Sequence, residues 1–129
     1  MNSFKEDLYI ICEGPTEIKF INKLKEHFDC KYNLILINAK GKPRISKEYL
    51  KVKKRNNYSK VFVMYDLDNV DTLDTIINSY LDNGIKINKK DILAFEENKY
   101  KPTLENALKL SNILHFPREY FYDNENIKV

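Results

Sequence analysis

The sequence has no tryptophan, three glycines and two cysteines among its 129 residues. Two cysteines are too few for the disulfide framework of a small secreted domain or for a zinc module. No apolar run approaches the roughly 20 residues of a membrane-spanning helix. Residues 1–7 are polar and acidic, unlike a secretory signal. We therefore expect a cytoplasmic protein without a membrane segment, in which Cys12 and Cys30 carry no function.

The length and composition suit a single domain over residues 1–129, because 43% hydrophobic residues can build one core. The net charge of +3 is modest, but basic residues are concentrated between positions 40 and 60, where Glu48 is the only acid. Such a segment is equally consistent with a solvated helix face and with a surface that binds phosphates. Our candidate nucleic-acid-binding residues are Lys40, Lys42, Arg44, Lys51, Lys54 and Arg55.

Strand-like and helix-like stretches alternate along the chain, which favours an α/β fold with a parallel sheet. The apolar runs predict strands at residues 8–12, 34–37, 61–65 and 92–95. Helical spacing predicts helices at residues 16–28, 45–56, between Asp71 and Gly84, and from residue 103. We expect Thr16, Ser46 and Asp71 to cap the first three helices.

Two acidic turns each follow an apolar run that is typical of a buried strand. Glu13 and Gly14 follow residues 8–12, and Asp66, Leu67 and Asp68 follow residues 61–65. The carboxyl ends of parallel strands form the ligand-binding edge of an open α/β sheet. Because carboxylates gathered there repel one another unless a cation joins them, the pattern predicts a Mg²⁺ or Mn²⁺ site.

The individual acids differ in how strongly they indicate function. Nothing structural demands Glu13 at the end of a buried strand, and Gly14 suits a tight turn into the next helix. Glu17 is also explained simply as an acid in the first turn of a helix. Asp66 and Asp68 lie two residues apart, so on an extended backbone both can reach one ion.

Glu13-Gly14 and Asp66-Leu67-Asp68 resemble the motifs of the Toprim domain, which occurs in topoisomerases, bacterial primases and nucleases of the overcoming-lysogenization-defect (OLD) family. Residues 11–17 look most like OLD-type and defence-associated Toprim proteins. The resemblance covers nearly the whole chain. It implies a Rossmann-like three-layer sandwich with a four-stranded parallel sheet and helices on both faces. For the two acidic turns to meet, strands one and three must be neighbours, so we predict the strand order 2-1-3-4.

The same resemblance implies Mg²⁺-dependent chemistry on the phosphodiesters of DNA or RNA, in a small nuclease or in the Toprim subunit of a larger processing or defence complex. It implies that Glu13 is a general acid/base or metal ligand, and that Asp66 and Asp68 are catalytic metal ligands. Glu17 would bind a second ion, so the expected cofactor is one or two Mg²⁺ or Mn²⁺ ions. We expect nucleic acid as a partner. A protein partner with an ATPase or targeting function, and an oligomer, stay open.

Two other interpretations stay open. Residues 61–70 also resemble the nucleophile strand of haloacid-dehalogenase-type phosphatases, in which Asp66 would be phosphorylated and Asp68 would be the acid. That interpretation leaves Glu13 unexplained. A Toprim-fold protein without catalysis could instead bind nucleic acid or a protein as a regulator. Glu96 or Glu97, after the fourth strand, could add a further acid to the site.

Overall fold

The computed structural model describes residues 5–56, 59–67, 72–96, 101–102 and 104–117. Strands and helices alternate as predicted, with a short 3-10 turn before the second helix and another before the fourth strand. The elements are β1 (Asp7–Cys12), α1 (Pro15–His27), β2 (Asn33–Asn38), α2 (Ile45–Arg55), β3 (Lys60–Leu67), α3 (Leu73–Asp82), β4 (Ile92–Glu96), β5 (Lys101–Pro102) and α4 (Leu104–Leu114).

The sheet has the order β2-β1-β3-β4-β5, and its first four strands are parallel. The predicted order 2-1-3-4 is confirmed, and β1 and β3 are neighbours, with Cys12 paired to Met64. The sequence did not indicate β5, which pairs antiparallel with β4 through only two residues. A strand that short has no period, and Pro102 within it disfavours a strand.

The two faces of the sheet bury separate cores, as the alternation of side chains along a strand requires. On β1, Leu8, Ile10 and Cys12 belong to one core and Ile11 belongs to the other. The first core receives the inner faces of α1 and α4: Phe20, Ile21, Leu24, Leu110, Ile113 and Leu114. The second receives those of α2 and α3: Ile45, Tyr49, Val52, Ile76 and Tyr80. The chain is therefore the predicted three-layer sandwich.

The caps of the first two helices differ from the prediction. Gly14 is the N-cap of α1 and Pro15 begins the helix, so Thr16 lies inside the first turn. Proline is favoured at this position because the first helical N–H has no partner within the helix. The N-cap of α2 is Arg44, at the end of the 3-10 turn, and Ser46 lies inside the helix.

Both ends of α3 carry recognisable capping motifs. Its N-cap is Thr72, whose hydroxyl accepts a hydrogen bond from the Thr75 N–H at 3.1 Å. The predicted cap, Asp71, lies outside the described residues. At the other end Gly84 follows the helix with φ +74°, and its N–H donates to Leu81 O at 2.9 Å. This is one bond of a Schellman motif. None of the helices in the described ranges is long and apolar enough to cross a membrane.

Gly84→Ala should destabilise the protein by about 1 kcal/mol, because an L-residue at positive φ brings its Cβ close to the following carbonyl. The space around Gly84 is open, so the cost is purely conformational. Urea unfolding followed by circular dichroism measures it. Gly84→Asn is the matched control, since asparagine tolerates the left-handed conformation and should lose less than alanine at the same position. Equal losses in the two variants would contradict the conformational explanation.

Candidate functional site

The acidic ends of β1 and β3 meet at one lysine. Glu13 directly follows β1, and Asp66 lies within β3. Lys42 Nζ lies 3.9 Å from Glu13 Oε1 and donates to the backbone O of Asp66 at 3.2 Å. Because both distances end on the same Nζ, Glu13 and Asp66 are close neighbours in space. The structure thus brings together two of the acids that the sequence singles out.

Asp66 is not in the turn where the sequence placed it. The strand was expected to end at Tyr65, but β3 continues to Leu67. Asp66 pairs with Phe95 and Leu67 with Glu96, so β4 extends the ladder on this side. The acidic residues at the end of an apolar run can complete a strand when a neighbouring strand supplies backbone partners.

Both carboxylates hold one oxygen away from solvent. Glu13 Oε1 and Asp66 Oδ1 are buried atoms, although 28% of the Glu13 side chain is exposed. Burying a carboxylate is costly unless a donor or a cation accompanies it. The ammonium of Lys42, itself 31% exposed, brings a positive charge to this place. The site therefore combines concentrated negative charge with a resident cation.

The loop between β2 and α2 positions Lys42. The N–H of Gly41 donates to Glu13 O at 2.9 Å, which ties the loop to the end of β1. Lys40 has φ +61° and Gly41 has φ +132°, and the Lys40 N–H donates to Asn38 Oδ1 at 2.8 Å. Two successive positive φ angles reverse the chain and bring the next residue, Lys42, to the Glu13 carboxylate and the Asp66 backbone carbonyl. Gly41 occupies a backbone region that L side chains rarely adopt.

Gly14, by contrast, has no need of a glycine's conformational freedom. Only Glu13 and Gly14 separate β1 from α1, as the expected tight turn requires, but the φ of −163° and ψ of −167° at Gly14 are an extended conformation that other residues also adopt. Its N–H donates to Glu17 Oε1 at 2.9 Å, which is the reciprocal half of a capping box. Glu17 is 7% exposed and sits in the first turn of α1. Helix capping therefore accounts for the Oε1 atom of Glu17. A role of Glu17 in binding a second ion stays a prediction.

The buried cysteine lies beside this cap. Burial raises the pKa of the Cys12 thiol to about 12, and the Glu17 carboxylate adds to the rise. Cys30 is only half-buried, and burial raises the pKa of its thiol as well. Neither thiol has the lowered pKa of a reactive cysteine.

In the native protein at pH 8, Cys12 should not react with a thiol reagent, because its thiolate is scarce and the atom is inaccessible. Cys30 should react slowly. Titration with a chromogenic disulfide and mass mapping of the labelled peptide measures this. Both cysteines should react after denaturation in guanidinium, and fast labelling of Cys12 in the native state would contradict the described core.

The candidate basic residues divide into two groups. Lys40 and Arg44 are exposed and lie with Lys42 in the loop at the carboxylate edge. The other three lie in the second half of α2, which runs from this edge towards the opposite one: Lys51, Lys54 and Arg55. Arg55 lines a pocket with Glu6 at the start of β1, and Lys51 pairs with Glu48 at 3.2 Å. Only the loop residues therefore flank the acidic site, and nucleic-acid binding by either group stays a prediction.

The described acids have carboxylate oxygens of the kind that bind a divalent ion, but they do not form a complete metal site. Among the residues that the structure describes, no group of three His, Cys, Asp or Glu side chains is arranged to hold a metal. Asp68, the third expected ligand, lies outside the described residues, as does Glu97. Glu96 ends β4 at this edge. The carboxylate oxygens of Glu13 and Asp66 are donors of the kind that Mg²⁺ and Mn²⁺ bind.

No family model matches the chain, and neither a curated protein nor a solved structure matches it. The Toprim resemblance therefore depends on the motifs, their order and their spacing. Open α/β sheets of this kind carry many unrelated activities. The fold alone does not identify the reaction, so the site geometry has to support any functional proposal.

Glu17→Ala should destabilise the protein by about 1 kcal/mol, because the Gly14 N–H loses its acceptor. Glu17→Gln keeps an acceptor oxygen and should lose less than half as much. Chemical denaturation of both variants separates the cap from the charge. If Gln costs as much as Ala, the carboxylate charge matters to stability more than the described hydrogen bond.

Proposed function

We propose that this protein is a Toprim-type, Mg²⁺- or Mn²⁺-dependent phosphodiesterase that cleaves nucleic acid. The observation that supports this most directly is the convergence of Glu13 and Asp66 on Lys42 at the carboxyl edge of adjacent parallel strands. Ligands bind at this edge in open α/β sheets, at the point where the chain leaves neighbouring strands in opposite directions. Glu13 and Asp66 lie at this point of the sheet.

In this proposal Glu13 and Asp66 hold the ion together with Asp68. A bound divalent ion supplies charge neutralisation at the scissile phosphate and stabilises the leaving oxygen. The alternative role that the resemblance implies for Glu13 is that of a general base, whose carboxylate would accept a proton from an attacking water. Glu17 would contribute its second oxygen to another ion, since its first accepts the Gly14 N–H.

Lys42 has two roles in the proposal. Its ammonium offsets the charge of the Glu13 carboxylate before a substrate binds, and it can donate a further N–H to a phosphate oxygen. Lys40 and Arg44 are exposed on the same loop and would hold the phosphates on either side of the scissile bond. A basic loop beside an acidic centre attracts a polyanion while leaving the carboxylates available to the ion.

A second candidate function is binding without cleavage. One observation favours it: Lys42 already brings a positive charge to Glu13. A lysine that offsets part of the negative charge can also donate to a phosphate oxygen without an ion. In that case the protein would be a Toprim-fold regulator that binds nucleic acid or another protein.

Wild-type protein should cleave labelled DNA or RNA oligonucleotides with Mg²⁺ or Mn²⁺ and not in EDTA. Glu13→Gln and Asp66→Asn should each lower the rate by at least about 100-fold, the usual size of a general-base or ligand contribution. Glu26→Gln is the matched control, because it removes one negative charge, as the site variants do, from an exposed position on α1. Gel electrophoresis of single- and double-stranded substrates measures the rates.

The melting temperatures of the same variants test ion binding separately from cleavage. Mn²⁺ should raise the melting temperature of wild type and of Glu26→Gln, but not of Glu13→Gln, because a ligand that binds only the folded state stabilises it. Oligonucleotide binding without cleavage in any buffer would favour the regulator. Hydrolysis of a phosphomonoester that is lost in Asp66→Asn and kept in Glu13→Gln would favour the dehalogenase-type phosphatase.

A further inference from the structure

The edge of the sheet opposite the carboxylates contains a groove of about 500 Å³. Its floor includes Leu8 and Val61, near the starts of β1 and β3, and Ile113 at the end of α4. The acids lie at the other ends of these same parallel strands. The groove is therefore separate from the candidate functional site.

Lysines dominate the lining of this groove. They are Lys31, Lys53, Lys60, Lys90 and Lys109, and Asp91 is the single acid among the described lining residues. Backbone carbonyls hold two of the ammonium groups: Lys53 donates to Ser59 O at 2.7 Å, and Lys109 donates to Ile92 O at 3.2 Å. A neutral carbonyl orients an ammonium without cancelling its charge. The groove therefore keeps a fixed positive potential.

The two acids near these lysines offset only part of that charge. Asp91 is one carboxylate against the five lysines of the described lining. Glu6 pairs with Lys60 at 3.2 Å, but its side chain is 63% exposed. An exposed ion pair of this kind contributes little and exchanges its partner easily. Lys60 is thus able to leave Glu6 for a phosphate.

Tyr32 provides an aromatic ring between two of the lysines. Lys60 Nζ lies 3.0 Å from the Tyr32 hydroxyl but 4.8 Å from the ring centre, so it sits at the hydroxyl end rather than over the middle of the ring. Lys31 Nζ is 5.4 Å from the ring centre. A half-buried aromatic ring flanked by ammonium groups is the arrangement on which proteins stack an unpaired base beside its phosphates.

We propose that this groove binds a segment of single-stranded nucleic acid, with phosphates on Lys31, Lys60 and Lys90 and a base against Tyr32. The inference goes beyond the proposed function, since it requires neither a metal nor the carboxylates. The volume lies within the range of about 300–1,000 Å³ typical of small-ligand sites. That space suits a nucleotide and its neighbouring phosphates.

The test is fluorescence anisotropy of labelled single-stranded DNA and RNA in EDTA, where metal-dependent cleavage does not occur. The groove variant carries Lys31→Gln, Lys60→Gln and Lys90→Gln, which are exposed lysines of the lining. The matched control carries three exposed lysines changed in α1 and α2, outside the groove: Lys19→Gln, Lys23→Gln and Lys47→Gln. Both variants lose the same charge.

The groove variant should bind about tenfold more weakly, with a shallower dependence on salt, because fewer counterions are released from the strand. The control should stay within about twofold of wild type. Crosslinking with 5-iodouracil oligonucleotides should label Tyr32 in wild type. Equal losses in the two variants, unchanged binding by the groove variant, crosslinks only elsewhere, or tighter binding of duplex or of an acidic peptide would overturn the proposal. None of these results bears on cleavage, which the Glu13 and Asp66 variants test.

Discussion

The contact on which the site depends is the one between the ammonium of Lys42 and the ends of two parallel strands. It joins the side chain of Glu13 to the backbone of Asp66, and so it links β1 and β3 beyond the last pair of their shared ladder. Two backbone conformations with positive φ, at Lys40 and Gly41, deliver this side chain. Such conformations persist where the surroundings over-determine them, and they are concentrated at functional sites.

Topology explains why the contact forms at this place. After β1 the chain turns into α1 on one face, and after β3 it proceeds towards α3 on the other. The chain therefore leaves the two strands in different directions, and a third segment can occupy the space at their ends. The loop after β2 fills it, because β2 lies beside β1 and ends at the same level, with Cys12 paired to Asn38. Neighbouring parallel strands thus place three chemically distinct segments together.

The sequence predicted the architecture well because buried strands and amphipathic helices repeat over several residues. It did not predict the local geometry that depends on partners distant in sequence. Asp66 became part of β3 because β4 offers it backbone contacts, and Gly41 rather than Gly14 took the positive φ because the loop must reach β1. The groove was missed for a similar reason: Lys31, Lys60 and Lys90 come from three separate segments and show no common spacing.

The separation of the two surfaces constrains how one molecule of nucleic acid could use both. Each strand residue rises about 3.3 Å, and Glu13 lies five residues beyond Leu8 of the groove, so the backbone at these two places is about 17 Å apart. A nucleic-acid strand bound at Tyr32 cannot present the same nucleotide to Glu13. It must continue around one face of the sandwich before it meets the acids. If both proposals hold, the groove would anchor the nucleic acid at a distance from the scissile bond. The number of nucleotides between the groove and the carboxylates would then decide which bond is cleaved.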